Sequence, residues 1–263
     1  MASFLLIFSL YNYNIEGVLI AIAITPIIQF FVLIFIFGKT LNEYIKFSKL
    51  SFRFPMLKVL LGFTLISFTA TVCSNFVEIN FRNLISDKIS ENEAGIWTAM
   101  SSISKIYMQF LITIFSIYIL PKYAKIHFSY AFKKEIKNIY KTLLPLVIIG
   151  MLIVYFSREI LILLIYNDDF LGMKVLFKWQ LLADLVRFIA NILSFKFLAK
   201  NQINYFVSTQ LLGLLSYYIF GRLLINSYDV EGLVMALLFS NLLYLVAVFF
   251  VLRNDLFGKN KAI

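Results

Sequence analysis

One apolar stretch of the sequence, residues 179–193, carries polar side chains at helical spacing. Positions i, i+4, i+7 and i+11 lie on one face of an α-helix, and here they are Gln180, Asp184, Arg187 and Asn191. A guanidinium matches the geometry of phosphate oxygens, and a carboxylate beside it can orient it or hold a proton or Na⁺. The spacing also allows a local ion pair between Asp184 and Arg187. The stripe therefore predicts either an anion-binding surface or a structural ion pair.

The composition places this stripe in a membrane protein. Of 263 residues, 61% are hydrophobic and 14% are charged, and the mean hydropathy is +0.88. Soluble domains are about half apolar and about a quarter charged. The apolar runs are continuous rather than alternating, which favours an all-α integral membrane fold over a β-barrel. We assign the net charge of +10 to loops on one side of the membrane, so no nucleic-acid partner is expected.

A membrane-spanning helix needs roughly 20 apolar residues, and the chain contains seven such runs. The predicted spans are residues 15–37, 57–76, 97–120, 142–156, 175–198, 205–225 and 232–252. A further run at 160–166 is too short to cross and is expected to continue the fourth helix at a kink or to lie in the interface. Residues 4–10 look like the end of another helix. Pro121 is expected to end a helix.

The basic residues predict the orientation of these spans. Sixteen of the 24 Lys and Arg residues fall in alternate loops, at 39–58, 122–141, 196–200 and after residue 252. Cytoplasmic loops carry such an excess, so the C-terminus is predicted to be cytoplasmic. The longest loop on the other side is then 79–96, which is too small to shape the active site of an enzyme.

Two other predicted spans carry charged side chains, which cost several kcal/mol in lipid and so tend to face a bundle interior or a wet cavity. The second span contains Glu78 and Arg82, and the third contains Lys105 and Gln109. With the stripe in the fifth span, these residues predict a polar path from the outer face to the middle of the membrane, with cations in excess. Arg82 lies close enough to the boundary to serve as an interfacial anchor instead.

The sequence offers no pattern typical of a catalytic site. One cysteine (Cys73) and one histidine (His127) cannot build a metal site of the Cys/His type. No catalytic triad, phosphate-binding loop or metalloprotease motif is present. We therefore predict no catalytic residue, no metal and no cofactor apart from a coupling H⁺ or Na⁺.

Two segments carry a family resemblance. Residues 95–126, GIWTAMSSISKIYMQFLITIFSIYILPKYAKI, contain Gly-x-Trp, Ile-Ser, Gln-Phe, Ser-x-Tyr and a closing Leu-Pro. Residues 176–202, LFKWQLLADLVRFIANILSFKFLAKNQ, contain Trp-Gln-Leu, an Asp and a late Ala-Lys. Both resemble the O-antigen and polysaccharide flippases of the multidrug/oligosaccharidyl-lipid/polysaccharide exporter superfamily. The resemblance runs from about residue 11 to 252.

The resemblance implies part of a MATE-like exporter, whose two six-helix lobes surround a central cavity. Residues 1–37 would be a remnant of helix five plus helix six of the first lobe, and 38–58 a cytoplasmic linker. Residues 59–252 would be the six-helix C-terminal lobe, and 253–263 a cytoplasmic tail. The seven helices are therefore the last helix of the first lobe and the whole second lobe. A separate N-terminal half, or a homodimer, is expected to complete the transporter.

The function implied is a flippase of the bacterial inner membrane, which moves undecaprenyl-pyrophosphate-linked oligosaccharide units for O-antigen synthesis. Its partners would be that lipid-linked oligosaccharide and the membrane lipids, and the charged and amide residues above would line its cavity. Three alternatives stay open: a cation-coupled multidrug exporter, a membrane-embedded polymerase or glycosyltransferase, and an inactive truncated fragment. The cationic excess counts against the drug exporter and the small outer loops count against the enzyme.

The topology gives a direct prediction. Reporter fusions at Lys134 and at Asn92 should report opposite sides of the membrane, with Lys134 cytoplasmic, because the lysine-rich loops alternate along the chain. A cytoplasmic enzyme reporter and a periplasmic one, fused at both positions, provide the measurement. Signals from the same side at both positions would contradict the seven-span topology.

Overall fold

The fold is all-α in the computed structural model, which describes residues 14–44 and 54–257. No strand occurs within these ranges, which confirms the predicted fold class of an all-α integral membrane bundle. The elements in chain order are α1 (Asn14–Tyr44), α2 (Phe54–Lys88), α3 (Glu91–Ile114), a π-helical segment (Phe115–Ile119), α4 (Leu120–Lys125), α5 (Ser129–Phe156), α6 (Arg158–Ile165), a 3₁₀ segment (Asp168–Val175), α7 (Leu176–Ala199) and α8 (Ile203–Phe257).

The chain divides into two compact units, Met1–Leu61 and Gly62–Ile263. The first contains α1, which exposes large apolar side chains such as Phe30, Phe31 and Phe35 along most of its described length. The second contains α2 from Gly62 onward, every later helix and all the side chains discussed below. The predicted helix remnant at 4–10 and the end of the tail at 258–263 lie outside the described residues.

Helix α7 is the centre of the second unit. It packs against α3, α4, α5 and α8, and fifteen of its 24 residues are buried. Four described helical stretches are long and apolar enough to cross a membrane by length and composition: Leu19–Gly38, Glu91–Lys125, Ser129–Phe156 and Ile203–Phe257. The stretch of α7 is not among them, because a helix surrounded by protein needs fewer apolar residues than one facing lipid.

Two apolar clusters hold the helices together at opposite ends of the unit. The cluster at the end where α2 meets α3, called the Ser90 end, is built around Phe81, Trp97 and Phe177. The cluster at the end where α4 meets α5, called the His127 end, is built around Phe115 and Phe188, whose ring centroids lie 5.2 Å apart. Because lipid is as apolar as these side chains, close packing rather than the hydrophobic effect favours their association.

Helix α8 covers the two predicted spans at 205–225 and 232–252 and is broken between them. Tyr228 and Asp229 leave the helical conformation, and Asp229 has a φ of 48°. The chain therefore reverses direction within two residues. Gly232 makes this turn possible, since a Cβ there would lie 2.4 Å from the carbonyl oxygen of Leu224.

Helix extends into several segments that were predicted as loops. The loop predicted at 79–96 is helical except for Ile89 and Ser90, because α2 continues to Lys88 and the Ser90 hydroxyl caps α3 by accepting from the Glu93 amide at 3.1 Å. The loop at 122–141 is likewise mostly helix, and helix also enters both ends of the linker predicted at 38–58. The short run at 160–166 agrees with the expectation of a kinked continuation, since α6 follows α5 after one turn residue, Ser157, whose amide donates to Ile153 and whose carbonyl accepts from Leu161.

The prediction that Pro121 ends a helix is wrong, because the helix continues to Lys125. Pro121 is the second residue of α4, and five π-helical residues precede it. The nitrogen of Pro121 has no hydrogen to donate to the carbonyl of Ile117, and in a regular α-helix the proline ring would crowd that carbonyl. The wider π turn avoids this clash.

The turn in α8 provides a stability prediction. Gly232→Ala should lower the free energy of unfolding by about 1–3 kcal/mol, because the added methyl group meets backbone that cannot rotate away. Thermal unfolding of the detergent-purified chain provides the measurement. Gly150→Ala in α5 is the matched control, since its Cβ meets nothing within 4 Å, and it should be neutral or slightly stabilising. Equal effects of both changes would contradict the close approach.

Candidate functional site

A cavity of about 980 Å³ lies within the second unit, between the two apolar clusters. Its walls come from α2, α3, α7 and both halves of α8. Its charged and amide lining residues are Glu78, Lys105, Gln109, Gln180, Asp184, Arg187, Asn191, Gln210 and Asn241. The cavity therefore brings together polar groups that are far apart in the sequence.

The buried wall of the cavity is organised around Asp184, which is only 4% exposed. Its carboxylate accepts hydrogen bonds from the Ser104 hydroxyl at 2.7 Å and from the Tyr107 hydroxyl, both on α3. The amide of Gln180, one turn earlier on α7, donates to both carboxylate oxygens at 3.2 Å and to Ser104 at 3.0 Å. An unpaired buried carboxylate would be costly, so these donors fix α3 against α7.

Arg187 lies one turn further along α7 and makes different contacts. One terminal nitrogen donates to the Gln210 amide oxygen at 2.9 Å and the other to the Asn241 amide oxygen at 3.4 Å. The guanidinium carbon lies 5.2 Å from the centre of the Tyr244 ring. Its hydrogen-bond acceptors are thus neutral amides from the two halves of α8, and the positive charge is not cancelled by an ion pair with a described residue.

The open side of the cavity carries one ion pair. The Lys105 ammonium on α3 donates to both carboxylate oxygens of Glu78 on α2, at 2.5 and 2.6 Å. The Lys105 side chain is 58% exposed and that of Glu78 is 30% exposed. Exposed ion pairs contribute about 0–1 kcal/mol, so this contact can open at low cost.

Seven of the eight predicted site residues line the cavity. The exception is Arg82, which lies exposed on α2 beyond Glu78 and outside the lining. The alternative of a local ion pair between Asp184 and Arg187 is wrong, because both find partners on other helices. The expected excess of cations is also wrong, since the charged lining residues are two acids and two bases. The binding roles of the seven residues stay predictions.

Sequence reasoning missed the partners of the stripe. Ser104 and Tyr107, three residues apart on α3, share the face that meets Asp184, and Gln210 and Asn241 are isolated amides within the long apolar runs of α8. An amide in such a run is itself a signal, because it needs a partner that lipid does not supply. The sequence could therefore have identified Gln210 and Asn241 as candidate site residues, although it could not have identified Arg187 as the residue that they contact.

Ion pairs brace the unit at both ends of the cavity. At the Ser90 end, Glu231 accepts from the Trp179 indole at 2.5 Å and from Lys178 at 2.8 Å. At the His127 end, the buried Lys196 pairs with Asp255. These contacts join α7 to the second half of α8 on both sides of the cavity.

Another ion pair lies outside the spanning helices, between Lys174 of the 3₁₀ segment and Glu159 of α6, at 2.7 Å. The hydrogen bond from Lys174 holds the pKa of the Glu159 carboxyl below its usual range. Among the described residues, no three His, Cys, Asp or Glu side chains come together to hold a metal ion.

Comparison with known proteins finds similarity to lipid flippases. The chain is 28% identical to the Lipid III flippase of Escherichia coli strain K12 over 182 residues, and to the Lipid III flippase of Shigella flexneri at the same identity and length. Each match covers 69% of this chain and 44% of the relative, so the chain matches less than half the length of these proteins. No protein-family model matches the chain, and no solved structure matches it.

The network around Asp184 gives a prediction on stability. Asp184→Ala should cost about 1–3 kcal/mol in the free energy of unfolding, because it leaves two hydroxyls and an amide without their buried acceptor. Thermal unfolding in detergent provides the measurement. Asp87→Ala, at an exposed position on α2, is the control and should change stability by about 0.5 kcal/mol or less. A neutral Asp184→Ala would show that the network does not hold α3 and α7 together.

Proposed function

We propose that this chain forms the substrate-binding lobe of a flippase that moves a lipid-linked oligosaccharide across the bacterial inner membrane. The similarity to the Lipid III flippases supports the class of substrate. The observation that carries the proposal is the polar cavity of about 980 Å³, which lies among helices that otherwise present apolar surface to lipid. A sugar headgroup needs such a hydrogen-bonding space, while its polyprenyl chain remains in the bilayer.

Arg187 is the group best suited to the pyrophosphate of that substrate. Within the described part of the chain its hydrogen-bond acceptors are the amide oxygens of Gln210 and Asn241, and a phosphate is a stronger acceptor than either. The planar guanidinium can exchange both contacts for two phosphate oxygens without moving α7. Asp184 keeps its three donors meanwhile and acts as a positioning residue for the helix that carries Arg187.

Lys105 supplies a second cation on the same side as the opening of the cavity. Its ammonium pairs with the Glu78 carboxylate, and the charged residues of the lining are two acids and two bases. An entering pyrophosphate competes with the Glu78 carboxylate for the ammonium, and the exposed pair is weak enough for this exchange. Gln109, Gln180 and Asn191 offer amides to the hydroxyl groups of the sugar.

Translocation requires the cavity to open alternately to each side, and a second lobe to move against this one. An N-terminal half or a second copy of the chain fills that role. A coupling proton or Na⁺ would act at Asp184, the most deeply buried carboxylate of the lining. The C-terminus is cytoplasmic in this proposal, and the protein transports rather than transforms its substrate.

The finer proposal for the substrate is an undecaprenyl-pyrophosphate-linked repeat unit for a surface polysaccharide such as O-antigen. A multidrug exporter of the same superfamily is the alternative. The balanced charge of the lining removes the argument that a cationic cavity excludes it, but no observation in the described part of the chain favours it. Two measurements distinguish the flippase from the exporter. Loss of an exporter raises drug sensitivity and leaves surface polysaccharide intact, whereas loss of the flippase lowers surface polysaccharide.

Substitution of Arg187 tests the proposal. In the transporter as the cell makes it, Arg187→Gln should lower export about 10–100-fold, because a hydrogen bond between charged groups contributes about 1.5–3 kcal/mol. Arg187→Lys should be impaired less severely, since Lys keeps the charge but lacks the planar fork. Surface polysaccharide is measured alongside the amount of protein in the membrane.

Arg82→Gln serves as the matched control, because Arg82 is an exposed arginine outside the cavity. It should retain export at an unchanged protein level. Normal export by Arg187→Gln would remove Arg187 from the substrate path. Equal losses for Arg82→Gln and Arg187→Gln would show that the cavity does not set the requirement for arginine.

A further inference from the structure

The first turns of α5 expose a stripe of lysines. Tyr130, Lys134, Lys137 and Lys141 lie at i, i+4, i+7 and i+11, so they share one face of the helix. All four are exposed, and Tyr130 is 64% exposed. These four residues are called the lysine face below.

The opposite face of the same turns fixes the direction in which the lysine face points. Phe132, Ile136 and Ile139 are buried in the cluster at the His127 end. The Phe132 ring lies 5.1 Å from that of Tyr123, and the ammonium of Lys196 lies 4.9 Å from its centre. The lysine face is therefore held away from the protein core.

The lysine face has no counter-charge among the described residues. The neighbouring carboxylate, Glu135, is held by Lys122 at 2.7 Å, and none of the three lysines forms an ion pair in the described part of the chain. The three lysines follow the first turn of α5, which contains no acidic residue. An anion from outside the protein would supply the missing counter-charge.

The length of α5 places this face at the membrane surface. Its 28 residues extend about 42 Å at 1.5 Å per residue, whereas the hydrocarbon core is about 30 Å thick. Beyond Lys141 the same face continues with Ile148 and Leu152, which are exposed and apolar. The face thus offers cations at headgroup depth and apolar surface below it, which matches the two parts of an anionic phospholipid.

We infer that the lysine face of α5 is a binding site for anionic phospholipid headgroups of the surrounding bilayer. The acyl chains lie along Ile148 and Leu152, and the phosphate contacts the ammonium groups of Lys134, Lys137 and Lys141. The translocated substrate is not the expected occupant, because no residue of α5 lines the cavity. Nucleic acid does not fit either, because the face continues into apolar surface.

Lipid titration of the purified 263-residue chain in neutral detergent tests this site. Phosphatidylglycerol should raise the thermal unfolding temperature, and phosphatidylcholine with the same acyl chains should not. The triple variant Lys134→Gln, Lys137→Gln, Lys141→Gln should bind phosphatidylglycerol on the order of 100-fold more weakly, since each lysine near an anionic surface contributes about fivefold. Raised salt should reduce the difference between the two proteins.

The matched control is the triple change of the same lysines to Arg, which keeps the charge and should retain phosphatidylglycerol binding. The Gln variant must keep the helical content of the parent chain, and its exposed positions make this the expected result. Equal stabilisation of the Gln variant and the parent by phosphatidylglycerol would overturn the inference. Undecaprenyl pyrophosphate is a separate titration: if it requires the lysines and phosphatidylglycerol does not, the face belongs to the substrate path and the inference is wrong.

Discussion

A buried carboxylate in an apolar bundle constrains the second unit more than any other group. Asp184 cannot turn to water or lipid, so hydroxyl and amide donors must come to it, and they come from α3 and from its own helix. Arg187 likewise needs acceptors, and it donates hydrogen bonds to Gln210 and Asn241 of α8. Helix α7 therefore binds α3 and both halves of α8 by polar contacts at mid-length, and the apolar clusters at either end pack around that arrangement.

The two charged residues of the stripe, Asp184 and Arg187, differ in the kind of hydrogen-bond partner that they have. The Asp184 carboxylate accepts hydrogen bonds from Ser104, Tyr107 and Gln180, and these three donors hold it in place. Among the described residues, the hydrogen-bond acceptors of Arg187 are two neutral amide oxygens, which a stronger acceptor can replace. Asp184 and Arg187, one turn apart on α7, therefore differ in how readily they can bind a ligand, because their hydrogen-bond partners differ. The cavity can have equal numbers of acids and bases and still present a cation at Arg187.

The sequence predicted the stripe because helical periodicity is a local property, readable from Gln180, Asp184, Arg187 and Asn191 alone. It could not predict that Tyr107 faces Asp184, since contacts between helices depend on rotation and depth. Helix ends were predicted poorly for a related reason. Hydropathy marks where lipid is, and a helix such as α2 continues past the lipid boundary when Phe81 and Ile85 pack against protein.

The connections at the Ser90 end are unusually short. Ile89 and Ser90 join α2 to α3, Tyr228 and Asp229 join the halves of α8, and Lys88 links the two turns through Asn226 at 2.7 Å. In the described part of the second unit, only the segment with α6 and the 3₁₀ turn is longer. Outside that segment, the described connections at this end therefore expose little loop backbone to proteases or antibodies.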